Sequence, residues 1–168
     1  AAGASELRTR IASELVDTVG FDAIRGNVSE LKALALGSAT TRGVDASAAD
    51  AVTDARLDEM VSFSKGYARE VGGIVAITGA IDLVADEETC YVIRNGRAEM
   101  GRVTGTGCML SGVLCAYLIA NPKDKLEAAA AAVCLMGLAG EVGWSRMQEG
   151  DGNATYRNRI IDAIYNID

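Results

Sequence analysis

The run Gly73-Ile74-Val75-Ala76-Ile77-Thr78-Gly79 constrains the fold of this chain more than any other segment. Its core is short, apolar and β-branched, has glycine on both sides and shows no polar alternation, which is the pattern of a central parallel strand covered on both faces. Such a strand needs helices packed against it, so the rest of the sequence has to supply amphipathic helices. Leu7, Ile11, Leu15 and Val19 recur at helical spacing behind Ser5, a good N-cap, and predict a first helix ending near Gly20. Phe21 to Ile24 reads as a second buried strand that stops at Arg25-Gly26-Asn27, and Ser29 with Glu30 opens a helical stretch through Leu36. Residues 37–50 are rich in Gly, Ser, Thr and Ala and read as a connection. Asp50 or Thr53 can then cap a helix whose apolar stripe is Leu57, Met60, Val61, Ser64 and Ala68.

Beyond the central run, Ile81 to Ala85 and Thr89 to Arg94 predict antiparallel strands, and Asn95-Gly96 signals a hairpin into a further strand, Arg97 to Val103. The turn Thr104-Gly105-Thr106-Gly107 leads into an apolar helix from Cys108 to about Ala120, closed by Asn121-Pro122. Two more helices follow, Lys125 to about Trp144 and Thr155 to about Tyr165, with the alanine run at Ala128 to Ala132 suited to close helix packing. The expected architecture is α/β: one domain over residues 1–168, with a mostly parallel central sheet flanked by helices and a β-hairpin.

Composition narrows the chemistry. The chain has no histidine, which excludes Ser-His-Asp and Cys-His nucleophilic systems, His-ligated zinc or haem, and imidazole as a general base. A formal net charge of -7 gives no basic footprint for nucleic acid, so a small solute or another protein is the expected partner. The longest apolar stretch, Ala128 to Met136, is too short to span a bilayer and has Lys125 and Glu127 beside it, so no membrane partner is expected. Four cysteines without CxxC spacing suit a reducing cytoplasm, with Cys90, Cys115 and Cys134 read as small buried residues. With no initiating Met and no signal-like segment, the start at Ala1 reads as a trimmed or processed end.

Four places can carry chemistry. Where a Gly-x-Gly turn leads into a helix, backbone N–H groups and the positive end of the helix dipole converge on a point suited to phosphate, although the same pattern also serves as a tight packing turn. Cys108, at the first turn of that helix, is placed where a thiolate is favoured or is simply a small apolar residue. Arg25 at a strand end can bind phosphate through its planar fork, while Asn27 and Glu30 either serve Mg²⁺ through water or belong to a plain helix start. Thr78-Gly79 with Asp82 lies just after a buried strand, where open α/β sheets place ligands; turn chemistry explains it equally well.

Taken together, Ile24-Arg25-Gly26-Asn27-Val28-Ser29-Glu30, Gly43-Val44-Asp45, Ala76-Ile77-Thr78-Gly79 with Asp82, and Val103-Thr104-Gly105-Thr106-Gly107-Cys108-Met109-Leu110-Ser111 resemble hydroxyethylthiazole kinase, of the ribokinase-like superfamily. The motifs keep the family's order, and Gly3-Ala4-Ser5 through Arg8-Thr9 also matches, so the resemblance covers nearly the whole chain. Its most specific part is Thr-Gly-x-Gly-Cys, because related sugar and pyrimidine kinases carry Asp where Cys108 stands. The resemblance implies transfer of the ATP γ-phosphoryl group to the primary alcohol of 4-methyl-5-(2-hydroxyethyl)thiazole, a step of thiamine salvage, in a cytoplasmic homotrimer with active sites between subunits. It further implies that Arg25, Thr78 and Asn27 serve ATP, Glu30 serves Mg²⁺, and Gly105 lies against the thiazole. Thr106, Gly107 and Cys108 would form the catalytic start of the helix. The family carries an N-terminal part, with the thiazole-binding loop and an Asp-Pro-Val segment, ahead of the point matched by Ala1, so the chain is expected to be the C-terminal portion of such a kinase. Asp151 to Arg157 departs from the family's Gly-Pro-Gly-Ser-Phe. A hydroxymethylpyrimidine-type kinase and a non-catalytic nucleotide-binding module are the alternatives.

Overall fold

The computed structural model describes residues 5–35 and 52–167. The expected connection at 37–50, its Asp50 cap, Leu36, the Gly43-Val44-Asp45 motif and Gly3-Ala4 lie outside the described residues. The chain divides into two compact units, one running to Val92 and the other beginning at Ile93.

In the first unit, α1 (Glu6–Thr18) starts as its spacing predicts, with Ser5 Oγ accepting the Arg8 N–H at 3.3 Å. Its apolar stripe, however, faces solvent: Leu7, Ile11, Leu15 and Val19 are all exposed, and Thr9 is the buried position. After β1 (Ala23–Asn27) come α2 (Val28–Ala35), a single 3-10 turn at Asp54–Arg56 behind Thr53, and α3 (Leu57–Val71). Met60, Ser64 and Ala68 of the expected α3 stripe are buried, joined by Tyr67. Gly72 ends α3 in the left-handed region at φ 66°, and at Gly73 a Cβ would run into the Phe21 carbonyl, so β1 and β2 come together only because that residue is glycine.

Strand β2 (Ile74–Thr78) is the central strand that its glycine-bounded run predicts, with Ile74 through Ile77 buried. The sheet order is β1-β2-β3-β4, where β3 is Asp82–Ala85 and β4 is Cys90–Ile93. Pairing of β1 with β2 is parallel and of β2 with β3 antiparallel, so the described sheet is mixed rather than mostly parallel. Its hairpin is the β2–β3 connection at residues 79–81. Helix α3 packs on β2 and β3, and α2 on β1. Val75, Ile77, Leu83, Leu31 and Met60 form the centre of the resulting core, and each such side chain contributes about 1.5–3 kcal/mol on removal from water.

The second unit departs from expectation at its start. Residues after Asn95-Gly96 form a 3-10 segment, Ala98–Arg102, and no strand. Asn95 Nδ2 donates to the Cys134 carbonyl at 2.7 Å and the Gly96 N–H to Glu141 Oε1 at 2.8 Å, so the turn residues are tied to a helix rather than to a partner strand. Arg-Ala-Glu-Met-Gly-Arg is also a poor strand former. Three helices complete the unit: α4 (Thr106–Ala120), α5 (Lys125–Ser145) and α6 (Asn153–Asn166). The alanine and glycine content of α5 does bring helices close, since a Cβ on Gly143 would lie 3.1 Å from the Ile160 backbone nitrogen of α6. Tyr156 of α6 is buried, donates to the Gly140 carbonyl at 2.9 Å and meets Trp144 edge-on. At 21 residues α5 is long and apolar enough to cross a membrane by length and composition, which corrects the expectation of too short a stretch. It nonetheless packs against α4 and α6, and 61% of its apolar window is buried.

Candidate functional site

The phosphate-side candidates of the first unit meet at the C-terminal ends of β1 and β2. Strand β1 does not stop at Ile24: parallel pairing carries it from Ala23 opposite Ile74 to Asn27 opposite Thr78. Arg25-Gly26-Asn27 reads as a turn from local composition, but strand register overrides it. As a result Arg25 Nη1 lies 3.5 Å from Thr78 Oγ1, and that hydroxyl donates to the Gly26 carbonyl at 3.4 Å. Both contacts are long, and the half-buried Arg25 keeps the donor capacity of its fork for an anion.

Asn27 and Glu30 cap α2 reciprocally. The Asn27 N–H donates to Glu30 Oε2 at 2.9 Å, and the Glu30 N–H to Asn27 Oδ1 at 2.8 Å. This capping box occupies the side-chain amide oxygen of Asn27 and one carboxylate oxygen of Glu30. Among the described residues no group of three or more His, Cys, Asp or Glu side chains could hold a metal ion, so no all-protein cage exists there. Mg²⁺ typically keeps several waters and takes one or two carboxylates plus phosphate oxygens. The second oxygen of Glu30 fits that limited role.

Asp82, at the start of β3, accepts the Gly79 N–H at 2.8 Å, so the turn chemistry weighed for this cluster is present. Burial raises its carboxyl to about 6, against the opposing pull of the Gly79 hydrogen bond and the charge of Arg25.

In the second unit, α4 begins two residues earlier than the sequence suggests, at Thr106, with Gly105 as its N-cap. Gly105 sits at φ 100°, where a side chain would be strained, and makes no capping bond. The Thr106 N–H makes a long contact to the Val103 carbonyl and the Met109 N–H bonds Gly105. The N–H groups of Gly107 and Cys108 lie in the first turn, beyond the reach of the helical ladder. Helices α5 and α6 also lack a side-chain cap, so the open end alone singles out nothing; the left-handed glycine and the exposed Cys108 distinguish α4. Cys115 and Cys134 are exposed as well, which corrects the expectation that they are buried; apolar α4 and α5 leave part of their circumference uncovered. Cys90 is half-buried and its thiol is pushed up to about 11 by that burial, so it is inert near neutral pH. Sequence reading gave no sign of Arg97, which stacks over Trp144 at 5.2 Å and pairs with Glu99 at 3.1 Å.

This α/β architecture, a mixed sheet with helices packed on it, is of the ribokinase-like fold class. Among solved structures it is similar over 99% of its length to a hydroxyethylthiazole kinase protein from Pyrococcus horikoshii, with TM-score 0.79 and 30% identity, covering 57% of that chain. A Bacillus subtilis ADP/ATP-dependent NAD(P)H-hydrate dehydratase, crystallised with ATP and Mg²⁺, shares the fold alone, at TM-score 0.60 and 14% identity over 84% of this chain and 46% of that one. The hydroxyethylthiazole kinase family model matches residues 1–168, and the chain belongs to that family. It is 50% identical over 166 residues to hydroxyethylthiazole kinase of Clostridium acetobutylicum and 34% identical over 165 residues to hydroxyethylthiazole kinase 2 of Clostridium botulinum. These matches take in 99% and 98% of this chain but only 61% and 60% of the relatives.

Proposed function

We propose that the protein to which this chain belongs transfers the γ-phosphoryl group of ATP to the primary alcohol of 4-methyl-5-(2-hydroxyethyl)thiazole, feeding thiamine synthesis. The observation that carries this reading is the family match along the whole chain, residues 1–168. The geometry is compatible with it, since phosphoryl transfer asks a protein chiefly for positioning and charge stabilisation.

In this reading Arg25 and Thr78 receive the nucleotide phosphates, the guanidinium through its fork and the hydroxyl by orienting it, while Asn27 holds the start of α2 in place beside them. Glu30 would hold Mg²⁺ there, and the metal would supply neutralisation of charge on the phosphates. The helix start Gly105-Thr106-Gly107-Cys108 acts on the substrate side: Gly105 presents a surface free of side chain to the thiazole, and the N–H groups of Gly107 and Cys108, with Thr106 beside them, stabilise developing negative charge. Cys108 stands where the alcohol proton is received. The assembly is a homotrimer in the cytoplasm, with each thiazole site completed by a neighbouring subunit.

The test is product formation. Full-length protein given Mg-ATP and hydroxyethylthiazole is expected to yield the thiazole phosphate, detected by mass. No product above the enzyme-free control overturns the reading, and ATP binding without transfer to any thiazole or pyrimidine alcohol would point to a non-catalytic nucleotide module.

A further inference from the structure

The turn at the end of β2 contains a carboxylate that the proposed chemistry does not use. Asp82 Oδ1 takes the Gly79 N–H at 2.8 Å and thereby fixes the backbone next to Thr78. Thr78 in turn contacts the Arg25 guanidinium at 3.5 Å and the Gly26 carbonyl at 3.4 Å. Asp82 therefore holds Gly79, the residue bonded to Thr78, and Thr78 contacts Arg25, so a half-buried acid lies one peptide away from the hydroxyl that meets the proposed phosphate cation. Arg25, on β1, is a charge that acts on this carboxyl, and the Gly79 N–H, one residue past β2, faces it from the turn.

We propose that Asp82 is a positioning residue that couples nucleotide binding at Arg25 and Thr78 to uptake of a proton. The inference rests on the nucleotide reading given above. Asp82 is already held high, at about 6, because burial outweighs the help of Gly79 and Arg25. An anionic phosphate entering the Arg25 fork would add negative charge on the same side and neutralise the cation that helps stabilise the carboxylate. Both effects favour the protonated carboxyl, so the acid rises further and takes up a proton as the nucleotide binds. The sign follows from linkage: a group whose acidity falls on binding makes binding tighter at low pH, and the advantage is lost as pH rises through the free and then the bound titration. One unit of rise corresponds to about a tenfold change in affinity across that window. A neutral acid also keeps its oxygen for the Gly79 N–H, so the turn survives protonation.

The experiment compares full-length wild type with Asp82→Asn, which preserves shape and the acceptor for Gly79 but cannot ionise. ADP affinity is measured by calorimetry from pH 5.5 to 8, and the variant carries the titration of the nucleotide itself as a baseline. The expected ratio of wild-type to variant Kd is near one at pH 5.5 and about five to ten at pH 8. Asp82→Ser, with a short acceptor that also cannot ionise, is expected to match Asp82→Asn, which guards against a folding artefact in either variant. A ratio that stays flat while all three proteins bind ADP overturns the coupling and leaves the nucleotide reading intact. Absence of ADP binding by the wild type overturns both.

Discussion

The starts of α2 and α4 both have a glycine just ahead of the helix, at the end of strand β1 for α2 and as the N-cap for α4, and they treat their backbone donors in opposite ways. At α2 the chain closes on itself: Asn27 and Glu30 satisfy each other's N–H groups at 2.9 and 2.8 Å. At α4 Gly105 swings through φ 100° and caps nothing with a side chain. The first arrangement uses polar groups for folding stability and leaves the proposed phosphate contacts to the neighbours Arg25 and Thr78. The second leaves donors unspent, which weakens the helix end but keeps positive potential where an anion can meet it. In the proposed reading, the glycine motif at α4 serves an anion because no side chain spends the donors of the first turn.

The largest effect is expected from Gly105→Val, which forces a β-branched residue into the left-handed region and displaces the α4 donors. Turnover of the full-length enzyme should fall by about 10²–10³, the usual loss when such donors are misplaced, with a urea titration confirming that the protein still folds. Retention of wild-type turnover would mean that the open end is only a packing turn. At the closed end, Asn27→Ala should remove the cap and lower stability by about 1 kcal/mol, read as a lower urea midpoint. Glu30→Gln sharpens the contrast, because glutamine also serves a capping box. Unchanged stability with a raised Mg²⁺ requirement would assign the charge of Glu30 to the metal, and no change in either would leave it a cap alone. The smallest effect is expected from Cys108→Asp, which installs the residue that related kinases carry; turnover should be retained or raised, and a collapse by several orders of magnitude would show that the thiol itself is needed.

Much of this contrast is legible in the sequence, though unevenly. The glycine-bounded run at 73–79 located the central strand because burial on both faces leaves a continuous apolar signature. The spacing of Asn27 and Glu30 is itself a capping-box pattern, and the helix start weighed for that pair is what the two reciprocal bonds form. What local pattern could not give was decided by partners distant in sequence. Register with β2 extended β1 through Arg25, and bonds from Asn95 and Gly96 to α5 cancelled a strong hairpin signal. Periodicity established that α1 is helical and not which side it buries: Leu7, Ile11, Leu15 and Val19 face solvent. The proposed role of Asp82 was out of reach for the same reason, since it depends on burial and on the nearby charge of Arg25.

The exposed thiols have a consequence for oxidation. Cys108 and Cys115 both face solvent on α4, and at 1.5 Å of rise per residue their Cα atoms stand about 10 Å apart along the axis. A disulfide needs Cα atoms within roughly 7 Å, so these two cannot bridge while the helix is intact. An oxidant that converts Cys108 to a sulfenic acid therefore finds no resolving partner at Cys115. A sulfenic acid there can be resolved by a thiol of another molecule, such as glutathione, and not by Cys115 of its own helix.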